Sequence, residues 1–460
     1  MKQLLSIIIV IGMVVNLYAI EFDKPVYEKS SSLFDKAKSL FSFEKLPKHA
    51  PIIIKKEDWD NSLVKTSNNE ISIVSKEYRI AGRKILLLPN KSYFIFAETI
   101  KDNGASRGTL IAKFTKQNKI KWIKHYTAND LAISTKFFID NNGLLISGNY
   151  ITGKALASPF IFRVDFNGNI KWAKDYNEEL MANSFHSIIK INDGYMAVGT
   201  TLKGYTKVEY KDNALYTEGT QNLNASPWII KLNLNGEKVW EKTIETRDNS
   251  HGVEIEKISK NYLVRTIPTT NPQEIIISSN GKIISKKSIK KLSAHLENQY
   301  GFATPTIMYQ SIIVKRVKEK DFVISKLKDD GTPIWKYTIG ITDKHGDKIK
   351  IIETSDRGCL IENFQYSFLK GSTHLIKLNS MGIEQWKKSY EGNQGRFIFN
   401  DYIKIGQDKY LFLATKNIVL DSKLKNESNK IGFNIALQSG ATLIELDLNS
   451  NKNEETNSLP

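Results

Sequence analysis

The chain has 460 residues, 41 % of them apolar, a formal net charge of +17 and a single cysteine, Cys359. The apolar share excludes a disordered chain and supplies a large core. One cysteine excludes an intramolecular disulfide, so packing and sheet pairing must hold the fold.

Residues 1–19 read as a secretory signal peptide. Met1, Lys2 and Gln3 make a short basic start, "LLSIIIVIGMVV" is the apolar run, and "NLYA" ends at the small residue Ala19. An uncleaved anchor is the alternative, but the run is shorter than the ~20 residues a span needs. No cysteine follows it, so lipid attachment there is not available. No other stretch is apolar enough to span a bilayer, so no integral membrane span is expected. The mature chain is expected to be periplasmic or secreted, with about 440 residues and a charge of about +16. That charge fits either solvated Lys-rich faces or an anionic partner, and export makes nucleic acid the least expected one.

Residues 20–67 precede the repeats as an N-terminal extension. Within it "SSLFDKAKSLFSFEKLP" (31–47) predicts a short amphipathic helix with Leu33, Phe34, Ala37, Leu40 and Phe41 on one face. Ser32 with Asp35 resembles a capping box, and Pro47 ends the pattern.

From residue 68 the chain repeats itself. The unit is an apolar strand, a tight polar turn, and a strand with an aromatic residue and Lys. Clear copies are "TLIAKFTKQNKIKWIKHY" (109–126), "PFIFRVDFNGNIKWAKDY" (159–176), "PWIIKLNLNGEKVWEKTI" (227–244), "FVISKLKDDGTPIWKYTI" (322–339) and "HLIKLNSMGIEQWKKSY" (374–390). A Gly stands four residues before Trp in four of them (Gly168, Gly236, Gly331 and Gly382), and Asn118 takes that place before Trp122. Both residue types tolerate the positive φ of a tight hairpin. "EIIISSNGKIISKKSI" (274–289) keeps Gly281 but has Ser285 in place of Trp, and "TLIELDLNSN" (442–451) stops after the turn. The turn positions 118, 168, 236, 281, 331, 382 and 451 are spaced 50, 68, 45, 50, 51 and 69 apart. The two long spacings reflect inserts.

A second hairpin lies upstream of each unit, as in "HSIIKINDGYMAVGT" (186–200), "KIIETSDRGCLIENF" (350–364) and "YIKIGQDKYLFLAT" (402–415). Each repeat thus predicts four antiparallel strands. Seven copies predict an all-β, seven-bladed β-propeller over residues 68–451, followed by a polar tail, 452–460. The last copy lacks its fourth strand. "NNEISIVSKEYRIAG" (68–82), ahead of the first strand "KILLL" (84–88), is expected to supply it by pairing near 442–448.

The repeats resemble those of secreted bacterial β-propeller repeat proteins, whose units carry D-x-N-G, Trp, Lys and a D-G-G-Y turn. "VDFNGNIKWAKDY" (164–176) and "NDGYMAVGT" (192–200) carry the resemblance best, and it covers roughly residues 70–451. It implies the fold and no particular ligand. The copy at 322–339 is also similar to the repeat of pyrroloquinoline-quinone-type propellers. Those usually have eight blades and an Ala-x-Asp…Thr-Gly pattern, which most copies here lack, so no cofactor is expected.

In such a fold the short turns share one face and the long connections the other, where recognition is usual. Two inserts are expected there: 201–226, "TLKGYTKVEYKDNALYTEGTQNLNAS", and 416–440. The first interleaves Tyr205, Tyr210 and Tyr216 with Lys203, Lys207 and Lys211, which are the candidate partner-binding residues. A hairpin extension packed on its neighbour is the alternative. The partner would be a protein or an anionic envelope component; oligomeric state is not legible.

Catalytic chemistry is not evident. There is no Gly-rich phosphate loop, no G-x-S-x-G and no H-E-x-x-H. His186, His251 and His345 fall near strand crossings, without a fixed accompanying carboxylate, so no metal site is expected. Cys359 reads as a buried apolar residue. Asp329 and Asp330 read as turn formers. "KIISKKSIKKL" (282–292) would form an outer, charged strand that protects a sheet edge, or would contact an anionic surface. The expectation is a non-catalytic scaffold. A hydrolase or lyase at the mouth of a central channel is the alternative. A structural part of an envelope assembly, similar to the propeller lipoprotein of outer-membrane assembly, is the third reading.

Overall fold

The computed structural model describes residues 53–448, apart from 61–63, 68–69, 76, 102–106, 129–130, 152–156, 177–181, 204–206, 212–213, 219–223, 246–249, 269–271, 290–305, 310–311, 318–320, 329, 341–347, 367–370, 392–396 and 420–436. The expected signal segment at 1–19, the predicted helix at 31–47 and the expected turn at 451 lie outside the described residues. Among the described residues every regular element is a strand. No helix there is long and apolar enough to cross a membrane.

The strands run in chain order. First come β1 (Ile54–Asp58), β2 (Val64–Ser67), β3 (Glu70–Ile73), β4 (Tyr78–Leu87), β5 (Tyr93–Lys101), β6 (Arg107–Phe114) and β7 (Ile120–Ala128). Next are β8 (Leu131–Asp140), β9 (Gly143–Ile151), β10 (Ala157–Asp165), β11 (Ile170–Asp175), β12 (Ala182–Ile191), β13 (Gly194–Lys203), β14 (Lys207–Lys211) and β15 (Ala214–Glu218). They are followed by β16 (Asn224–Asn233), β17 (Lys238–Thr243), β18 (Ser250–Ile258), β19 (Asn261–Pro268), β20 (Gln273–Ile277) and β21 (Ile283–Ser288). Then come β22 (Thr306–Tyr309), β23 (Ile312–Val317), β24 (Asp321–Leu327), β25 (Pro333–Gly340), β26 (Lys348–Glu353) and β27 (Cys359–Tyr366). The last are β28 (Gly371–Leu378), β29 (Glu384–Glu391), β30 (Phe397–Lys404), β31 (Lys409–Val419) and β32 (Leu437–Asp447).

Among the described residues these strands build seven sheets of four or five strands and one separate two-stranded hairpin, β14–β15. The chain divides into two compact units. The first unit (Met1–Lys56 and Thr127–Phe302) holds sheets β11-β10-β9-β8, β12-β13-β16-β17 and β18-β19-β20-β21. The second unit (Glu57–Tyr126 and Ala303–Pro460) holds β22-β23-β24-β25 and β26-β27-β28-β29. It also carries the bulk of two five-stranded sheets, β1-β7-β6-β5-β4 and β2-β3-β32-β31-β30.

Successive sheets within each unit pack face to face. In the first unit Leu145 and Ile161 meet Phe185, Tyr195 and Trp228, and Met196 and Val198 meet Ile255 and Val264. The second strand of a sheet is covered on both faces, which explains its unbroken apolar runs: Phe94, Ile95, Phe96 and Ala97 of β5 are all buried. The fourth strand, by contrast, faces water on one side or more. The lysine-rich β21 is exposed along nearly all its length and lies at its sheet's edge, as expected for 282–292.

The repeat turns follow from their residues. Asn118, Gly168, Gly236, Gly281, Gly331 and Gly382 all have φ between 61 and 82°. Each donates its N–H to the carbonyl three residues earlier, and after each of the five glycines one extra residue follows as a bulge in the fourth strand. The side chain at the start of the turn holds it: Asp165 Oδ1 accepts from the N–H groups of Asn167 and Asn169, and Asn233 and Asn379 do the same in their turns.

The glycines also answer to the tryptophans. The Trp172 indole N–H donates to the Leu234 carbonyl (3.0 Å), Trp240 to Ser279 (3.2 Å) and Trp335 to Ser380 (3.0 Å). Each ring thereby lies over the turn glycine of the next sheet, and a Cβ on Gly236 would sit 2.6 Å from the Trp172 ring. At the first turn the device changes: Asn118 stands in for Gly, and its amide donates to Glu445 of β32 (2.9 Å).

The last sheet takes its fourth strand from the N-terminal side. β3 pairs with β32, Glu70 opposite Ile444 and Ile73 opposite Ala441, and the Ser72 and Thr442 hydroxyls meet at 2.9 Å. The closing strand is shorter than the predicted 68–82 segment, because residues 78–82 already belong to β4. β4 continues the pattern as first strand of its sheet. The extension adds more than a lead-in: β1 and β2 each join a sheet as a fifth, outermost strand.

Candidate functional site

The insert at 201–226 is mostly strand. β13 and β16 run on to pair Lys203 with Asn224, and β14–β15 forms a two-stranded hairpin of its own. Lys207 and Lys211 occupy the two ends of β14 and pair with Glu218 and Ala214. Tyr210 pairs with Leu215 and Tyr216 with Glu209, so the two tyrosines are not cross-strand partners. Tyr205 lies outside the described residues. In the second insert the strands likewise extend, β31 to Val419 and β32 from Leu437; residues 420–436 lie outside the described residues.

Of the histidines, His251 stands beside its strand crossing as expected and His186 does not. His186 is not near a crossing but within β12, at the residue that the register skips between Phe185 and Ser187. His251 is the second residue of β18. His345 lies outside the described residues. The β12 bulge follows from a close approach: a Cβ on Gly199 would stand 1.7 Å from the Ser184 carbonyl oxygen, so β13 must offer a glycine there. His186 Nε2 lies 3.1 Å from both Ser184 Oγ and Thr200 Oγ1, and Thr200 Oγ1 lies 3.1 Å from His251 Nδ1. Burial, with the charges of Lys136 and His251 added, pushes the His186 imidazole down to about 3. Burial also lowers His251. Both rings are therefore neutral at pH 7 and linked through one hydroxyl.

His186 borders a cavity of about 170 Å³ walled by β8, β9, β12 and β18 of the first unit. Lys136, Ser147 and Glu254 bring the other polar groups, and Phe137, Leu145 and Ile188 the apolar surface. Ser147 is fully buried, and its hydroxyl has no hydrogen-bond partner within the protein. Glu254 pairs with Arg265 (2.7 Å), which also serves Glu256 (2.7 Å) and Glu274 (3.3 Å).

The first strands of the second unit carry charges instead. Glu98, buried, takes Arg83 Nε at 3.1 Å and Arg107 Nη1 at 3.3 Å. Lys84 pairs with Asp401 (3.1 Å), and Lys350 with buried Glu362 (3.4 Å). Burial raises the Glu362 carboxyl above its ordinary value, and Lys350 offsets part of that. Cys359 opens β27 fully buried, and burial pushes its thiol up to about 12, which removes it as a nucleophile. Asp330 accepts from the Thr332 N–H and hydroxyl, the turn role expected of it; Asp329 lies outside the described residues. Among the described residues no three His, Cys, Asp or Glu side chains converge as metal ligands.

One recurring constellation has no counterpart in the sequence reading. In three sheets the basic residue opposite the Trp reaches back to an acid in the first turn, Arg163 to Asp140 (3.2 Å), Lys231 to Asp193 (2.7 Å) and Lys377 to Asp356 (2.7 Å), whereas Lys326, opposite Trp335, donates to the Arg357 carbonyl. Asp140 also accepts the Tyr195 hydroxyl (2.7 Å); burial opposes its charge, but Arg163, Tyr195 and the Asn142 N–H together hold its carboxyl below the usual range. Part of the basic charge is therefore structural. The signal was present as a basic residue nine positions before each Trp.

No known family model matches the chain, and no curated protein matches it in sequence. Solved structures are similar at low identity. A subtype N10 neuraminidase-like protein of A/little yellow-shouldered bat/Guatemala/060/2010 shares 10 % identity over 82 % of this chain and 100 % of its own, with a TM-score of 0.31. The β-propeller domain of the Trilobed protease from Pyrococcus furiosus shares 10 % over 74 % of this chain and 91 % of its own, with a TM-score of 0.34. A putative 6-phosphogluconolactonase from Bacteroides uniformis shares 10 % over 67 % of this chain and 83 % of its own, with a TM-score of 0.33. At such scores the account of the fold rests on the sheets themselves.

Proposed function

We propose that the chain is an exported, seven-bladed β-propeller that binds a protein or an anionic envelope component through its long-loop face and performs no catalysis. Seven repeat sheets and the β3–β32 pairing support the propeller reading. The N-terminal "LLSIIIVIGMVV…NLYA" pattern supports export to the periplasm or beyond. The observation that carries the binding role is the β14–β15 hairpin. Among the described residues it joins no other sheet, and the sheet β12-β13-β16-β17 has its four strands without it. Lys203, Tyr205, Lys207, Tyr210, Lys211 and Tyr216 are its contact residues: tyrosines give area at low entropic cost, and lysines favour an anionic partner.

The test pairs the mature chain with a version in which 204–223 is replaced by a short Gly-Ser turn, both used as bait in envelope extract. The expected result is an unchanged melting temperature and loss of one partner whose capture also weakens with added salt. A partner held equally by both baits would overturn the assignment of the face. A hydrolase or lyase with its site at the mouth of the central channel remains the second reading, and glycan turnover by the mature chain would establish it.

A further inference from the structure

The fourth strand of a repeat sheet has an outer edge, and the chain itself uses that edge twice. β1 adds to β7 and β2 adds to β3 as fifth strands, whereas among the described residues β21 ends its sheet. The ladder fixes which backbone groups of β21 face outward. Just past the strand, the Ile289 N–H donates to the Pro272 carbonyl (2.8 Å), toward β20. Backbone groups alternate sides along a strand, so Lys287 and Ser285, opposite Glu274 and Ile276, also turn toward β20. The N–H and C=O of Lys286 and Ser288 then point away from the sheet, and both residues are exposed.

Charge is the second feature of this edge. Lys282, Lys286 and Lys287 are exposed, and the sequence holds no acid between Glu274 and Glu297. β11 and β17 answer their bases nearby, Lys171 with Asp165 (3.0 Å) and Lys238 with Glu241 (3.0 Å). Across the ladder from Lys287 stands Glu274, whose carboxylate is held by Arg265 (3.3 Å). The edge therefore keeps positive charge in excess. Ser285 stands where five copies carry Trp, so a small side chain flanks Lys286. Lysines along an edge repel another such edge, which disfavours pairing of β21 with β21 of a second copy. The same charges admit a strand of opposite sign. An anionic lipid surface would answer the lysines but has no strand to pair with the outward backbone groups.

We propose that β21 receives a fifth strand from a partner protein, an extended segment with two adjacent acidic residues between β-branched ones. Its backbone pairs with the outward groups of Lys286 and Ser288. Its two carboxylates, sent to opposite faces by the alternation of a strand, meet Lys286 and Lys287. The site uses no residue of the β14–β15 hairpin, so either reading can fail without the other.

The test is fluorescence anisotropy of the labelled peptide Thr-Thr-Val-Glu-Glu-Val-Thr-Thr, capped at both ends and titrated with the mature chain at low salt. It is expected to bind, and its counterpart with Lys-Lys in place of Glu-Glu at least roughly tenfold more weakly. Lys286→Glu should weaken the acidic peptide by roughly tenfold or more. Lys174→Glu, at an exposed site on β11 of the same unit, should weaken it by less than about twofold. Ser288→Pro removes one outward N–H and no charge, at an edge position where proline is tolerated. It should weaken the peptide by roughly fivefold and leave the melting temperature unchanged. If Ser288→Pro melts early, an N-methylated peptide that cannot donate tests the same bonds from the other side. No binding of the acidic peptide, equal binding of the Lys-Lys form, or equal weakening by Lys174→Glu would each overturn the proposal. So would full binding by a normally melting Ser288→Pro or of the N-methylated peptide. Capture by phosphatidylglycerol vesicles without peptide binding would overturn it in favour of a lipid surface.

Discussion

At the bulge in β12 the first unit places His186, neutral and tied to two hydroxyls; at the bulge in β4 the second unit places Arg83, which meets buried Glu98. The backbone device is the same, one skipped residue in the first strand of a sheet, and it recurs at Val253 and Asn400. What it presents differs. The first unit surrounds it with hydroxyls and leaves a cavity, whereas the second lines the same strands with the pairs Arg83–Glu98, Lys84–Asp401 and Lys350–Glu362. The repeat thus fixes where a side chain is aimed and leaves its chemistry free.

The sharpest way to break this contrast is to remove one charge. Glu98→Ala removes the buried carboxylate that the Arg83 and Arg107 guanidinium groups share. Loss of one partner from a buried pair costs about 3 kcal/mol, the lower end of the usual range because Arg83 is partly exposed. Ser184→Ala in the first unit removes one neutral hydrogen bond and should cost about 1 kcal/mol. Urea unfolding measures both, and equal losses would erase the distinction between the units.

Acid separates them next. His186 titrates at about 3 in the fold and near its ordinary value of 6.5 when unfolded. Between those values the unfolded chain binds a proton that the folded chain refuses, so stability falls as pH drops below about 6.5, by about 2 kcal/mol at pH 5. Glu362 acts in the opposite sense. Its folded value is raised, so the fold keeps a proton that the unfolded chain has lost, and stability falls as pH rises from about 4.5 through the raised value. Melting temperature against pH should therefore lose part of its acid-side fall in His186→Gln. In Glu362→Gln it should lose the opposing slope. An unchanged acid limb in His186→Gln would show that the imidazole is already charged in the fold.

Much of this was legible in the sequence, and the failures have physical causes. Six turn positions read from Gly or Asn all carry positive φ, because few residues tolerate that backbone. The pairing partner of the closing strand was legible because the last copy lacked one. His186 was misplaced because a β-bulge inside the first strand leaves no mark in the sequence. The cavity was invisible for a related reason: Lys136, Ser147, His186 and Glu254 come from three sheets, and no spacing along the chain brings them together. The Asp–basic pairs were missed because a lysine-rich chain hides its paired lysines among solvated ones.

The smallest effect contrasts two turn glycines. Gly236 in the first unit and Gly331 in the second have φ of +75 and +82°, so Ala at either pays for the left-handed backbone, about 1 kcal/mol. Only Gly236 lies under an indole ring; a Cβ on Gly331 would meet nothing within 4 Å. Gly331 therefore answers to φ alone. Gly236→Ala must also push the Trp172 ring aside and strain its bond to the Leu234 carbonyl, for about 1 kcal/mol more. Trp172→Ala provides the control through a double-mutant cycle. With the ring removed, Ala at 236 should cost no more than Ala at 331, because only the backbone term remains. A cost at 236 that persists without the ring would mean that the glycine is required by its own turn, and that the stacking merely exploits it.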